Sequence, residues 1–268
     1  DHTYRGWGPT KQEYYHGNFD IPSTRRAELH SLLAKAVFED KETVTLVECT
    51  GPAGPLRVDL DINYTIDPDH PPPANQRVYE VADFLGQFIA MLCSALDECV
   101  VMPEDKEKRL LYVFEKSSPT QKEANSWKDG VHIMMPDIIT SPQVQHFIRD
   151  MVIADMDDLL TDVREAGFDV TDSPEVIYDE AVLERNGWMM YGCSKAGAPA
   201  YQLTSIWNGS VGDELHRYTE SECDEAPGNI RRRLLMLFMN RHCKYAGEDS
   251  YAVQFIQRMS IRGYDEDN

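Results

Sequence analysis

The chain has 268 residues, of which 42% are hydrophobic, and its formal net charge is -20. This length and apolar content suffice for one large domain with a buried core, or for a domain with a subdomain. So acidic a chain is not expected to bind nucleic acid over its whole surface, because non-specific affinity comes from cations that neutralise phosphates. No apolar run approaches the roughly 20 residues that cross a bilayer, so no membrane partner is expected.

The first half of the chain alternates between helix and strand patterns, separated by turn-forming residues. Ser23 and Thr24 are suitable N-caps for a run in which apolar residues recur at helical spacing. In chain order, the predicted elements are a helix over 23–40, a strand over 44–49, a turn over 51–55, a strand over 57–64, a loop over 67–75 and a helix over 77–98.

The second half has shorter patterns. In chain order, they predict strands over 110–115 and 131–135 with a polar loop over 116–129 between them, a helix over 142–166, and short strands over 176–178, 188–191 and 201–206. Mixed strands and helices with hairpin-like neighbours predict an α+β fold rather than a regular βαβ array.

Two carboxylates interrupt the predicted strand at Asp59 and Asp61. Residues two apart on a strand point to the same face, so both carboxylates would lie side by side while Val58, Leu60 and Ile62 point into a core. Mg²⁺ and Mn²⁺ prefer such oxygen ligands, and two-metal phosphoryl chemistry requires them. A D-x-D pair also marks metal-dependent sugar transferases and occurs by chance on solvated strands, so these alternatives stay open.

Two further polar motifs lie beside apolar runs. Lys128 and Gly130 precede a strand on which His132 lies, so an ammonium and an imidazole could face a triphosphate, although a lone His in a strand is more often a core residue. Asp179 closes a later apolar run and could be a third metal-binding carboxylate, with Lys195 within reach of a phosphate. The alternatives are a strand-end cap for Asp179 and a solvated loop charge for Lys195.

A basic cluster contrasts with the acidity of the rest of the chain. It consists of Arg231, Arg232 and Arg233. The cluster could bind phosphates in a local groove, or it could be the exposed start of a helix. Charge alone favours neither interpretation.

The six cysteines show no C-x-x-C pair and favour reduced thiols in a cytosol-like compartment. The nearest approach to a zinc motif is the set His216, Cys223, His242 and Cys243. Its spacing fits no standard zinc site, so no structural zinc is expected.

Taken in order, these motifs resemble those of a known family. The resemblance rests on Asp59-x-Asp61, Lys128-Asp129-Gly130-x-His132, Asp179, Asn186-Gly187-Trp188 and Ser194-Lys195. They are similar to the three motifs of the archaeo-eukaryotic primase superfamily, most of all in the primase-helicase proteins of nucleocytoplasmic large DNA viruses. The likeness spans roughly residues 57–241 and departs from the family at Cys193, where a serine or a similar small residue is expected.

The resemblance implies a catalytic core built on a modified RRM-like sheet. The implied domain map has N-terminal subdomain elements over 1–55, the catalytic core over 56–245, and a C-terminal helix and tail over 246–268. Implied catalytic residues are Asp59, Asp61, His132 and Asp179, of which the three aspartates would bind metal. Implied nucleotide-binding residues are Lys128, His132, Ser194 and Lys195. Implied template or phosphate contacts are Arg231, Arg232 and Arg233.

The same resemblance implies primer synthesis in viral DNA replication. It implies two Mg²⁺ or Mn²⁺ ions, NTPs or dNTPs as substrates and single-stranded DNA as template, in the host cytoplasm or nucleus. The chain has no G-x-x-x-x-G-K-[ST] loop, so a helicase domain is expected outside it. Without an initiator Met or a signal sequence, the chain is expected to be an excised domain. A non-catalytic primase-like DNA-binding module and a sugar transferase remain alternatives.

Overall fold

Two antiparallel sheets form the framework of the part of the chain that the structure describes. The structure is a computed structural model, and it describes residues 4–6, 17–66, 69, 71, 76–195, 197–209, 215–218, 245–247 and 250–262. Some residues singled out in the sequence lie outside these ranges. They are Cys223, Arg231, Arg232, Arg233, His242 and Cys243.

The larger sheet carries most of the predicted site residues. Its strands are β4 Gly54–Ile66, β5 Leu110–Glu115, β6 Thr120–Glu123, β7 Ser126–Thr140, β8 Phe168–Val170, β10 Gln202–Asn208 and β11 Arg217–Tyr218. They lie in the order β11-β10-β5-β7-β4-β8, and β6 pairs with β7 as a side hairpin. The longest pairing joins β4 to β7.

The smaller sheet has four strands in the described ranges. They are β1 Tyr4–Gly6, β2 Gly17–Phe19, β3 Leu46–Glu48 and β9 Trp188–Met189. Their order is β2-β1-β3-β9, so the N-terminal strands are joined through β3 to a strand from late in the chain.

Helices cover both faces of the larger sheet. The α-helices are α1 Ser23–Ala34, α2 Phe84–Cys99, α3 Pro142–Ala154, α4 Met156–Glu165, α5 Pro174–Ile177, α6 Ala181–Glu184 and α7 Tyr251–Arg258. A π-helical segment at Lys35–Asp40 continues α1, and 3₁₀ helices lie at Val78–Asp83 and Lys106–Arg109. This mixture confirms the predicted α+β class.

Strand alternation explains why the sheet has two different faces. On β4, Leu56, Val58, Leu60, Ile62 and Tyr64 are buried in one apolar cluster with α2, α3 and α4. The intervening residues point to the opposite face, where a second cluster forms between the sheet, α1, α7 and the smaller sheet. The polar residues of β4 therefore lie on the side that the smaller sheet approaches.

The segment Val78–Cys99 is long and apolar enough to cross a membrane by length and composition alone. In this fold 61% of its most apolar part is buried. Phe84, Phe88 and Leu92 pack in the core cluster beneath β4 and β7. Packing within the fold therefore accounts for the apolar character of this segment.

Most predicted elements are confirmed, and the differences have identifiable causes. The polar loop predicted over 116–129 is wrong, because β6 and the start of β7 form a hairpin whose backbone hydrogen bonds order polar residues. The strand predicted over 176–178 is also wrong: Pro174 begins the short helix α5, and a single bridge joins Tyr178 to Leu60. The helix predicted over 142–166 is broken at Asp155.

Candidate functional site

An open cavity of about 260 Å³ lies between the larger and the smaller sheet. This volume is close to the lower end of the range for small-molecule sites, about 300 Å³. The cavity collects the predicted residues Asp59, Asp61, Lys128, His132, Asp179, Ser194 and Lys195. Residues from all three sequence motifs are therefore brought to one place.

Strand register sets Asp59 beside His132 and Asp61 beside Gly130. The Oδ1 atom of Asp59 is buried and lies 3.3 Å from Nε2 of His132. Burial acts to raise the pKa of Asp59, but the imidazolium form of His132 and the Lys128 ammonium outweigh it and hold that pKa below its ordinary value. Asp59 is thus an ionised carboxylate at neutral pH.

Asp61 is the second carboxylate of the pair, and its surroundings shift its pKa upward, opposite to the shift of Asp59. Burial and the neighbouring negative charge of Asp59 raise the pKa of Asp61, although Lys128 partly offsets them. The Nζ atom of Lys128 donates to Oδ2 of Asp61 at 2.7 Å. Two carboxylates held side by side in this way favour the approach of a further cation.

Lys116 and Tyr201 also line the cavity, and sequence reasoning missed both. Lys116 follows the last residue of β5, and its Nζ lies 4.7 Å from the ring centroid of Tyr201. The ring of Tyr201 stacks on that of His132 with centroids 3.6 Å apart. Trp188 of the smaller sheet contacts the same imidazole at 4.6 Å between centroids. Aromatic contacts therefore fix the orientation of His132.

Burial lowers the pKa of Lys116. The negative charges of Asp61 and Asp59 partly offset this shift, and the positive charge of Lys128 adds to it. Neither Lys116 nor Tyr201 belongs to a motif in the sequence. For Lys116 alone the sequence contains a signal, because this cation directly follows a predicted strand.

Asp179 reaches the cavity from an irregular segment between α5 and α6. Its backbone N–H donates to the carbonyl of Asp59 at 2.9 Å, so the two residues are neighbours through the main chain. One oxygen of Asp179 accepts from the N–H of Ala181, the first residue of α6, at 2.8 Å. The same residue lines the cavity with Asp59 and Asp61. The predicted strand before it is not formed, so Asp179 caps no strand, and its role as a metal ligand stays a prediction.

Two buried arginines hold the Asp179 segment against the sheet. Arg57, two residues before Asp59 on β4, is 1% exposed and donates to the carbonyls of Val182 at 3.1 Å and Leu183 at 2.9 Å. Arg149 of α3 donates to the carbonyl of Tyr178 at 2.8 Å. Hydrogen bonds from rigid elements thus replace a regular strand ladder in this segment.

Two further cations line the cavity. Arg5 of β1 and Lys195 line it together with Ser194, which is buried. Cys193, the departure from the family pattern, is buried beside them, and burial raises the pKa of its thiol to about 12. The thiol therefore stays protonated at neutral pH and acts as a small packing residue.

The donor set is suited to divalent cations, although it is not assembled as a complete ligand cage. Within the described ranges, no three His, Cys, Asp or Glu side chains are close enough together to hold a metal ion. Among the described residues, the buried Oδ1 of Asp59 has Nε2 of His132 beside it at 3.3 Å but accepts no hydrogen bond of normal geometry, and Asp61 lies on the same face two residues away. A carboxylate oxygen that accepts no well-formed hydrogen bond and lies beside a second carboxylate fits a hard cation such as Mg²⁺ or Mn²⁺.

Comparison with known proteins gives two matches. Residues 10–207 match the family model described as the C962R protein N-terminal AEP domain. A protein of Acanthamoeba polyphaga mimivirus named "Putative helicase L207/L206" is 25% identical over 232 residues, which are 85% of this chain and 22% of that protein. The chain therefore spans less than a quarter of the length of this relative.

Proposed function

The chain belongs to the archaeo-eukaryotic primase (AEP) family of C962R-type N-terminal domains, and from this premise we propose that it synthesises primers on a single-stranded DNA template. The observation that carries the proposal is the cavity between the sheets, where an aspartate pair faces several cationic side chains. The chain as a whole is strongly acidic, yet this cavity collects positive charge. That distribution favours an anionic substrate such as a nucleoside triphosphate.

In the proposed reaction the 3′-hydroxyl of one nucleotide attacks the α-phosphorus of the next. A new P–O bond forms, the bond to the β-phosphate breaks, pyrophosphate leaves and the hydroxyl proton passes to solvent. Bound Mg²⁺ or Mn²⁺ would activate the hydroxyl and neutralise the departing pyrophosphate. Asp59 and Asp61 would hold the ions, and Asp179 would complete the set from its segment beside Asp59.

The cationic residues would bind the triphosphate. Lys128 lies on the larger sheet, Lys116 directly follows its strand β5, Arg5 belongs to the smaller sheet and Lys195 lines the same cavity, so phosphates could be contacted by several cations. His132, fixed by its aromatic contacts, would donate a hydrogen bond to a phosphate oxygen. The basic residues 231–233 remain proposed template contacts.

We further propose that this domain works within a longer protein, beside a helicase domain. The support is the name of the mimivirus relative and the small share of it that the chain spans. Its proposed setting is viral DNA replication in the host cytoplasm or nucleus. A separate helicase would provide the single-stranded template on which the primase acts.

A specific observation favours a second candidate, a primase-like module that binds DNA without catalysis. Lys128 already neutralises Asp61, and the described side chains include no ready group of three metal ligands. A domain that had lost metal binding would keep the fold and the basic residues. Only a measurement of synthesis separates the two candidates.

The test is de novo synthesis on single-stranded DNA with labelled NTPs or dNTPs and Mg²⁺ or Mn²⁺. The variant is D59N/D61N, which keeps side-chain size and removes the two charges. The matched control is D169N, because Asp169 pairs with Thr65 on the same strand β4 and does not line the cavity. Product that vanishes only in D59N/D61N supports the primase. Absence of product in the unmodified chain, with DNA binding retained, supports the non-catalytic module.

A further inference from the structure

Arg77 fills the point at which two strands of the larger sheet separate. The pairing of β5 with β7 ends at Glu115 and Val131, and β6 takes over as the partner of β7 from Thr120. Between these two ladders, the carbonyl of Lys116 accepts a hydrogen bond from Nη1 of Arg77 at 2.9 Å. The guanidinium thus takes the place of a neighbouring strand at this break.

The same guanidinium binds Asp129 with two parallel hydrogen bonds. Nε donates to Oδ2 at 2.7 Å and Nη2 donates to Oδ1 at 2.5 Å. The side chain of Asp129 is fully buried, and Oδ1 also accepts from the N–H of Gly130 at 2.9 Å. A bidentate Arg–carboxylate pair fixes both distance and orientation.

The residues that Arg77 holds are those that present the two cavity lysines on the larger sheet. Lys116 is itself held through its carbonyl, and Asp129 directly follows Lys128. Because side chains alternate along a strand, Asp129 points away from the cavity while Lys128 points into it and pairs with Asp61. Arg77 therefore lies behind the sheet and joins the backbone positions of both lysines.

We infer that Arg77 is a positioning residue that sets the spacing of Lys116 and Lys128 for a bound triphosphate. The inference rests on the proposed function, because it assigns the two lysines to the phosphates of that substrate. Arg77 would not touch the nucleotide. Its effect would pass through the ends of β5 and β7, where a small change of backbone position moves both ammonium groups.

A purely structural role for the pair has weaker physical support. Burying an ion pair incurs a desolvation penalty that its attraction only partly offsets, so a well-packed apolar pair could often replace both partners without loss of stability. The arginine also donates to the backbone of one lysine and to the neighbour of the other. Holding two cations in register is a role that a well-packed apolar pair could not take over.

The test compares the binding of ligands that differ in the number of phosphates. The variant R77K keeps the positive charge and loses the forked geometry. We expect calorimetric titration to show a Kd for a nucleoside triphosphate about tenfold higher in R77K, because tenfold corresponds to about 1.4 kcal/mol, the scale of one weakened hydrogen bond to a charged group. The Kd for the matching monophosphate should stay nearly unchanged, because it lacks the distal phosphates.

R258K is the matched control. Arg258 forms a comparable partly buried ion pair with Asp137, and neither residue lines the cavity. We expect R258K to lower Tm without changing the ratio of triphosphate to monophosphate Kd. D129N, which breaks the bidentate pair from the other partner, should reproduce the ratio change of R77K and replaces it if R77K does not fold.

The outcomes separate this inference from the proposed function. If R77K and D129N leave the ratio of triphosphate Kd to monophosphate Kd unchanged, and the unmodified chain synthesises primers, the positioning role is wrong and the proposed primase function stands. An equal loss of affinity for the triphosphate and the monophosphate also contradicts the positioning role, since that result indicates general destabilisation of the site. If the unmodified chain binds no triphosphate, both the function and the inference are wrong.

Discussion

Gly130 lies directly opposite Asp61 in the β4–β7 pairing, where even a methyl group has no room. A Cβ at this position would lie 2.7 Å from the carbonyl oxygen of Leu60, 3.0 Å from the hydroxyl of Tyr201 and 3.1 Å from Oδ1 of Asp61. Carbon atoms approach carbonyl oxygens to about 3.3 Å, so G130A requires the chain to move by about 0.6 Å. The obstacle is the backbone of a central strand, which cannot move alone.

We expect G130A to be less stable by about 2 kcal/mol, within the range for overpacked cores. For a chain of this size, that loss corresponds to a fall in Tm of about 4–8 °C. The displacement acts on the strand that carries Asp59 and Asp61, and a misplacement approaching 1 Å lowers rates by about 100-fold. Primer synthesis should therefore fall on that scale at temperatures where the variant is fully folded.

Calorimetry and primer synthesis, measured together, check this prediction. The control is G51A, whose Cβ would lie 3.4 Å from its nearest neighbour, the carbonyl oxygen of Ala53, which is an ordinary contact. Its Tm should stay within about 2 °C of the unmodified chain. A G130A variant with unchanged Tm and unchanged synthesis would refute the close approach of β4 and β7 at the carboxylate pair.

Three other predictions concern charge and burial. D61N should raise Tm at pH 7 although it abolishes synthesis, because the raised pKa of Asp61 shows that the fold disfavours its charged form. D59N should lower Tm, since the lowered pKa of Asp59 means that the fold favours its charge. The D61N difference should shrink as pH falls towards about 3.9 and be absent below it, whereas the D59N difference should shrink only below about pH 3.9; equal Tm values at pH 7 contradict the reasoning. Burial lowers the pKa of His30 to about 4, so the folded chain binds fewer protons than the unfolded chain between that value and about 6.5. Urea denaturation should show stability lost as pH falls through this window, and H30L should remove that contribution. R57M should lose about 3 kcal/mol of stability, because two buried carbonyls lose their donor. Synthesis by folded R57M should also fall as the Asp179 segment loosens; full activity would contradict a positioning role for Arg57.

The residue pattern was enough to predict the strand that carries the carboxylate pair. Side chains alternate along a strand, so the order of apolar and acidic residues in β4 was sufficient to predict which face is buried. The order of the motifs led to the primase family, and the mixture of strand and helix patterns led to the α+β class. Asp59, Asp61 and His132 were predicted as site residues, and the structure brings them into one cavity.

The tertiary structure alone decided which distant residues complete the site. Lys116 and Tyr201 enter the cavity because β5 lies between β7 and β10 in the sheet, and periodicity within one strand contains no information on the order of strands. Arg57 is a buried charge and the side chain of Arg77 is only 14% exposed, whereas arginines usually lie at the surface. Their hydrogen bonds reach segments far away in the sequence, and such contacts exist only once the sheets have assembled.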